Sequence, residues 1–119
     1  MSRILAVDDT LALRAMLTEC LTRAGHLVTT AGDGAEALER LRADRPDLVI
    51  TDLNMPRMDG LDFIAAARQE PVGRGLPILL LTSETAPELR RRARAVKATG
   101  WLQKPFEPKR MLSLVAQLA

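Results

Sequence analysis

Three short apolar runs stand out along an otherwise mixed chain: Ile4-Leu5-Ala6-Val7, Leu48-Val49-Ile50 and, after Pro77, Ile78-Leu79-Leu80-Leu81. Runs of this length, bounded by polar residues, predict strands buried on both faces of a parallel sheet. Leu27-Val28-Thr29-Thr30 and Trp101-Leu102-Gln103 predict two weaker strands. Between the runs the apolar positions take a helical period. Leu13, Met16, Leu17, Cys20, Leu21 and Ala24 form one stripe on a helix from Thr10 to Ala24, which Gly25 ends. Thr10 or Asp9 is expected to cap its start. Gly34, Ala37, Leu38 and Leu41 repeat the pattern before Pro46, and Leu61, Ile64 and Ala67/Arg68 give a third, less regular helix. Leu89, Ala93 and Val96 give a fourth with Pro87 near its first turn; Met111, Leu112, Val115 and Leu118 give a fifth after Pro108. Pro71-Val72-Gly73-Arg74-Gly75 reads as the most flexible stretch. Strand followed by helix, five times over, predicts an α/β fold: a five-stranded parallel sheet with helices on both faces.

The chain has 119 residues, which predicts one domain over 1–119 with no output domain. A domain of this size buries roughly two-thirds of its unfolded surface, so it needs no disulfide or structural metal. The single cysteine, Cys20, forms no internal bridge, which fits a reducing compartment. No apolar run approaches the ~20 residues of a membrane span. Met1-Ser2-Arg3 leads straight into the first strand, with no signal peptide. Together these features predict a cytoplasmic protein without a membrane partner. The net charge of +2 is too mild to indicate nucleic acid, and 3% aromatic residues provide no stacking platform.

Ligands of open α/β sheets bind at the carboxyl ends of the strands. Asp8 and Asp9 follow the first strand, Asp52 the third, Thr82 and Ser83 the fourth, and Lys104 the fifth. Two like charges ~4 Å apart repel by about 4 kcal/mol at an effective dielectric of about 20. Three carboxylates on one edge therefore require a proton or a cation. Oxygen ligands with room for waters suit Mg²⁺. Lys104 is a point charge suited to phosphate oxygens, and the Thr82 hydroxyl can donate to the same group. Cation, anion receptor and nucleophile are the parts that phosphoryl transfer needs. Each piece alone has a simpler reading. An Asp-Asp pair after a strand caps a helix, and Thr82-Ser83 serves as the N-cap of the next one. The combination at matching strand ends is what points to chemistry.

Val7-Asp8-Asp9, Asp52-Leu53-Asn54-Met55-Pro56-Arg57-Met58-Asp59-Gly60-Leu61, Leu81-Thr82-Ser83-Glu84 and Lys104-Pro105-Phe106 resemble the receiver domain of two-component response regulators. The resemblance covers essentially the whole chain and is greatest to the single-domain, CheY-like chemotaxis branch. It implies a (βα)5 flavodoxin-like fold and a phosphoryl group taken by Asp52 from a histidine kinase or small phosphodonor. It implies direct Mg²⁺ binding by Asp9, Asp52 and the Asn54 backbone carbonyl, with Asp8 acting through water. Lys104 would hold the phosphoryl group, Thr82 would swing to it, and Trp101 would occupy the switch-aromatic position. Lys104-Pro105 would be cis. Asn54 and Glu84 would tune water access, implying self-dephosphorylation over seconds to minutes. The only reactions implied are the domain's own phosphorylation and dephosphorylation. The implied output is a monomer that binds a flagellar motor switch protein or another protein target; a phosphate sink or relay shuttle is the alternative.

Trp101 is bulkier than the usual switch aromatic, Lys97 stands where the family often has glycine, and Gln103 puts an amide in a strand that an edge position would tolerate. A Mg²⁺-dependent phosphatase with an aspartate nucleophile is disfavoured, because Asn54 stands where that class needs a general acid. His26 reads as a solvated loop histidine and Cys20 as a core residue. Met55 and Met58 read as shaping the loop beside the site. Arg90-Arg91-Arg92 with Arg94 is either a solvated helix face or a basic patch for an acidic partner segment.

Overall fold

The apolar runs become five strands, and every pairing between them is parallel. The computed structural model describes residues Met1–Ala119. Its elements are β1 (Arg3–Val7), α1 (Leu11–Arg23), β2 (Leu27–Ala31), α2 (Gly34–Asp44), β3 (Leu48–Asp52), α3 (Gly60–Arg68), a 3₁₀ turn (Pro71–Gly73), β4 (Ile78–Thr82), α4 (Pro87–Ala95), β5 (Gly100–Gln103) and α5 (Pro108–Leu118). The strand order β2-β1-β3-β4-β5 is the flavodoxin-like arrangement, with its switch point between β1 and β3.

Strand alternation divides the core in two. Leu5, Val7, Val49, Ile78 and Leu80 face α2, α3 and α4, where they meet Ala37, Leu41, Phe63, Ile64, Leu89 and Ala93. Ile4, Ala6, Leu48, Ile50, Leu79 and Leu81 face α1 and α5, where they meet Leu17, Leu21, Met111 and Val115. Every residue of β3 and β4 is buried, which explains their unbroken apolar runs. Gln103 lies exposed on the edge strand β5, as its amide requires.

Several local expectations are corrected. The α1 stripe is narrower than its period implies: Leu17 and Leu21 are buried, whereas Met16 is 57% exposed and Ala24 lies on the surface. Only α1 and α5 cover that side of the sheet, so little packs against the stripe's margins. Thr10 occupies the N-cap position of α1, but its side chain makes no capping bond. Instead, its N–H donates to Asp8 Oδ1 at 2.7 Å. Neither Thr82 nor Ser83 caps α4, which starts at Pro87 with Ala86 as its cap. The stretch from Pro71 is not a free loop. It makes a 3₁₀ turn, pinned where Arg68 Nη1 donates to Gly73 O and Leu76 O, both at 2.6 Å. His26 is half-buried and its Nδ1 accepts the Ser2 N–H at 3.1 Å, so it is a structural acceptor and not simply solvated. Lys97 does adopt the left-handed conformation that favours glycine, at φ +66°, and Lys104-Pro105 is cis.

Candidate functional site

The register of the parallel pairs brings the strand ends level. Val7 lies beside Thr51, Asp52 beside Leu81, and Thr82 beside Gln103. Residues one step beyond or at these ends therefore meet at one edge. The buried polar side chains of the protein are Asp8, Thr51, Asp52 and Thr82, and all four lie at that edge. Thr51 is accounted for locally, its hydroxyl donating to Asp52 O at 3.0 Å. The other three have chemistry to spare.

Asp52 Oδ1 accepts from Leu53 N–H at 2.9 Å and from Lys104 Nζ at 2.7 Å. Two donors on one oxygen fix the carboxylate's orientation. Lys104 reaches the site because its own N–H bonds Thr82 O at 2.9 Å, extending the β4–β5 ladder by one residue. Its ammonium also lies 3.8 Å from Asp8 Oδ2. Asp8 is fully buried; Oδ1 takes the Thr10 N–H, while Oδ2 has no hydrogen-bond partner. Burial, reinforced by the charge of Asp52, pushes its carboxyl above the ordinary range against the opposing pull of the Thr10 N–H and Lys104. Thr82 Oγ1 accepts from Glu84 N–H at 3.0 Å.

Asp8, Asp9 and Asp52 offer ligand oxygens that all lie within 4.8 Å of one another, with Asp9 on the solvent side. Three carboxylates against one ammonium leave two negative charges. One of the oxygens is a buried acceptor with no partner, which costs free energy unless something fills it. A divalent cation with hard-oxygen preference fits both the charge and that oxygen. The residues present therefore suit Mg²⁺.

The loop after Asp52 is held from both sides. Leu53 and Met55 are buried, which leaves Asn54 between them exposed to solvent. Met58 packs directly over Gly34 at the start of α2. Arg57, at φ +67°, pairs with Asp33 at 3.2 Å. Asp33 in turn caps α2 through the Glu36 N–H, and Asp59 caps α3 through the Asp62 N–H. At Gly60 the chain passes so close to β3 that a Cβ would sit 2.2 Å from Asp52 O. Gly60 thus sets the approach of α3 to the Asp52 backbone.

The structure brings Asp8, Asp9, Asp52, Thr82 and Lys104 together. Asn54 and Glu84 lie exposed on flanking loops. Trp101 is elsewhere: it pairs with Leu80 inside the sheet register and sits half-buried under Arg90, whose guanidinium carbon is 4.7 Å from the ring centroid. Arg14 escaped the sequence reading. Its Nη1 donates to Asp8 O at 2.7 Å, steadying the β1–α1 connection. A lone arginine in the first turn of a helix carries no sequence signal for that role.

A model of the response regulator receiver domain matches residues 4–116. The chain is 40% identical over 116 residues to response regulator MprA of Mycobacterium leprae, covering 98% of this chain and 50% of that one. It spans about half the length of the curated relatives it matches. Among solved structures, the chemotaxis protein CheY4 of Vibrio cholerae superposes with a TM-score of 0.96 at 44% identity, covering 100% of this chain and 99% of that one. The signal receiver domain of a signal transduction histidine kinase from Syntrophus aciditrophicus superposes with a TM-score of 0.91 at 30% identity, covering 99% and 89% respectively.

Proposed function

Since this chain belongs to the response regulator receiver domain family, we propose that Asp52 is its phosphoacceptor and that phosphorylation, with Mg²⁺ bound alongside, switches a protein-binding face. The observation that carries this reading is the 2.7 Å contact between Lys104 Nζ and Asp52 Oδ1 at the carboxyl edge of the sheet. A buried carboxylate held this way is oriented, partly desolvated and already beside the cation that phosphoryl oxygens need. In the transfer, an Asp52 oxygen attacks the phosphorus of a histidine kinase's phosphohistidine. The P–N bond breaks and its electrons stay on the imidazole. Lys104 then balances charge on the phosphoryl group. The Thr82 oxygen accepts from Glu84 N–H, so its own proton is free to be donated to a phosphoryl oxygen. Asp9, Asp52 and the Asn54 carbonyl would hold Mg²⁺, with Asp8 acting through water, and the bound ion would supply positive charge against the phosphoryl oxygens. Asn54 and Glu84, exposed at the rim, govern entry of the water that reverses the reaction.

The output face is α4 with Trp101. Arg91 pairs with Glu88, while Arg90, Arg92 and Arg94 have no carboxylate partner, which suits an acidic segment. Flagellar motor control is the finer reading, supported by the 44% identity to a chemotaxis protein. The 40% identity to a response regulator about twice this length supports a second reading, a target other than a motor switch, reached as a sink or relay. The free Cys20 thiol suits a reducing compartment, and we place the reaction in the cytoplasm. No helix is long and apolar enough to cross a membrane.

The test is Trp101 fluorescence with Mg²⁺ and beryllofluoride, with and without the N-terminal peptide of a motor switch protein. A changed emission with tighter peptide binding supports motor control. A changed emission without peptide binding moves the target elsewhere. No change, with Asp52→Asn behaving as wild type, overturns the phosphorylation switch.

A further inference from the structure

At the opposite edge of the sheet, where β4 and β5 begin, a cleft of about 440 Å³ is lined by Arg68, Arg74, Gly75 and Lys97, with no apolar side chain. All three cations are absent from the protein's ion pairs. Arg68 is half-buried, and its guanidinium donates only to neutral acceptors: Gly73 O, Leu76 O, Lys97 O and Thr99 Oγ1. Burial without a counter-charge holds its pKa below the ordinary arginine value. Arg74 and Lys97 are exposed and can swing their donors inward. Gly75, at φ +74°, has open space where a Cβ would stand. Its N–H, unlike those of Arg74 and Leu76 on either side, donates to no protein acceptor.

We propose that this cleft binds a compact tetrahedral oxyanion of the phosphate class, at a site separate from Asp52. Arg68 supplies a fixed positive field but no free N–H, since its neighbours' carbonyls occupy the fork. Arg74, Lys97 and the Gly75 amide supply the hydrogen bonds, in the way backbone N–H groups and cations share phosphates elsewhere. No aromatic or hydrophobic residue lines the cleft, and its only carbon surface is that of the flexible arginine and lysine stems, so no platform is present for a nucleobase. The ligand is recognised by its charge and oxygens alone, as inorganic phosphate or as the phosphate of a small monoester.

The experiment follows backbone amide resonances of the metal-free protein during titration with inorganic phosphate, then with methyl phosphate, at constant ionic strength against chloride. Saturating shifts are expected at Gly75, Leu76 and Lys97, in wild type and in Asp52→Asn alike. Tighter binding of inorganic phosphate identifies the free ion as the ligand; tighter binding of methyl phosphate identifies a monoester. Lys97→Gly keeps the fold, because glycine suits φ +66°, and Arg74→Ala changes an exposed side chain. Each is expected to weaken binding about tenfold or more, as the loss of a charge-assisted hydrogen bond does. Shifts that grow linearly, that chloride reproduces, or that both variants retain at wild-type affinity overturn the proposal.

Discussion

Replacing Gly60 with alanine puts a methyl group where the backbone of β3 already lies. The new Cβ would stand 2.2 Å from Asp52 O and 3.0 Å from both Asp52 C and Leu53 Cα. Non-bonded carbons settle at about 3.5–4.0 Å, so α3 has to retreat by roughly 1 Å. The atoms in the way are backbone, and no rotamer change relieves them. Retreat also stretches the Gly60 N–H to Leu53 O bond, now 2.8 Å. Overpacking of this kind costs ~1–3 kcal/mol, and the weakened bond adds ~0.5–1.5 kcal/mol. Alanine's better helix propensity returns up to ~1 kcal/mol. The net expectation is a loss of about 2–3 kcal/mol, or roughly 8–12 °C in Tm for a chain of this size. Urea unfolding of the metal-free protein should show the midpoint falling with m unchanged, as a pure stability loss does. Because the clash falls on the Asp52 carbonyl, the Trp101 response to beryllofluoride should weaken as well. A urea midpoint unchanged from wild type, with Tm within about 2 °C, would show that the close approach does not constrain the loop.

Three other outcomes follow from the same geometry. Lys97→Gly relieves a side chain held at φ +66° and should raise stability by about 0.5–1 kcal/mol, after the larger unfolded-state entropy of glycine is deducted; thermal melts measure it. Asp33→Ala removes the α2 cap and the Arg57 pair, costing about 1 kcal/mol near neutral pH. The Glu36 N–H, with Arg57, holds the Asp33 carboxyl below its ordinary 3.8, so this stability is present above that pH and lost as pH falls through the lower folded value. The melting curves of variant and wild type should therefore converge in acid, and a gap that persists there would count against the capping role. Asp8→Asn removes a buried carboxylate oxygen without a partner and should melt above wild type in a chelator. Mg²⁺ at about a hundred times its Kd should then stabilise wild type by ~2.7 kcal/mol and the variant by less; equal gains would remove Asp8 from the metal site.

What could be read in advance, and what could not, divides along a physical line. Continuous apolar runs marked β1, β3 and β4 because both faces of those strands are covered, and parallel pairing then placed Asp8, Asp52, Thr82 and Lys104 level with one another. The site needed only the strand ends, which is little information. Coverage was harder. A helical period says which residues share a face but not how wide a neighbour lies over it, so the period puts Met16 on the inward stripe although it is 57% exposed. Asp8 and Asp9 are adjacent and chemically identical; only the folded β1–α1 connection, with the Thr10 N–H and Arg14 gripping Asp8, decides which one is buried. Least legible were bonds that join distant segments. Pro71 to Gly75 has the composition of a free loop, yet Arg68 pins it, and the same guanidinium reaches 29 residues along the chain to Lys97 O. Nothing local encodes such a bond, because its donor and acceptors are ordinary residues whose partnership exists only once the sheet has closed. The basic cleft at the amino edge is hidden for the same reason. Its arginines and lysine come from three separate segments and form no motif, whereas the acidic site opposite is spelled out one strand end at a time.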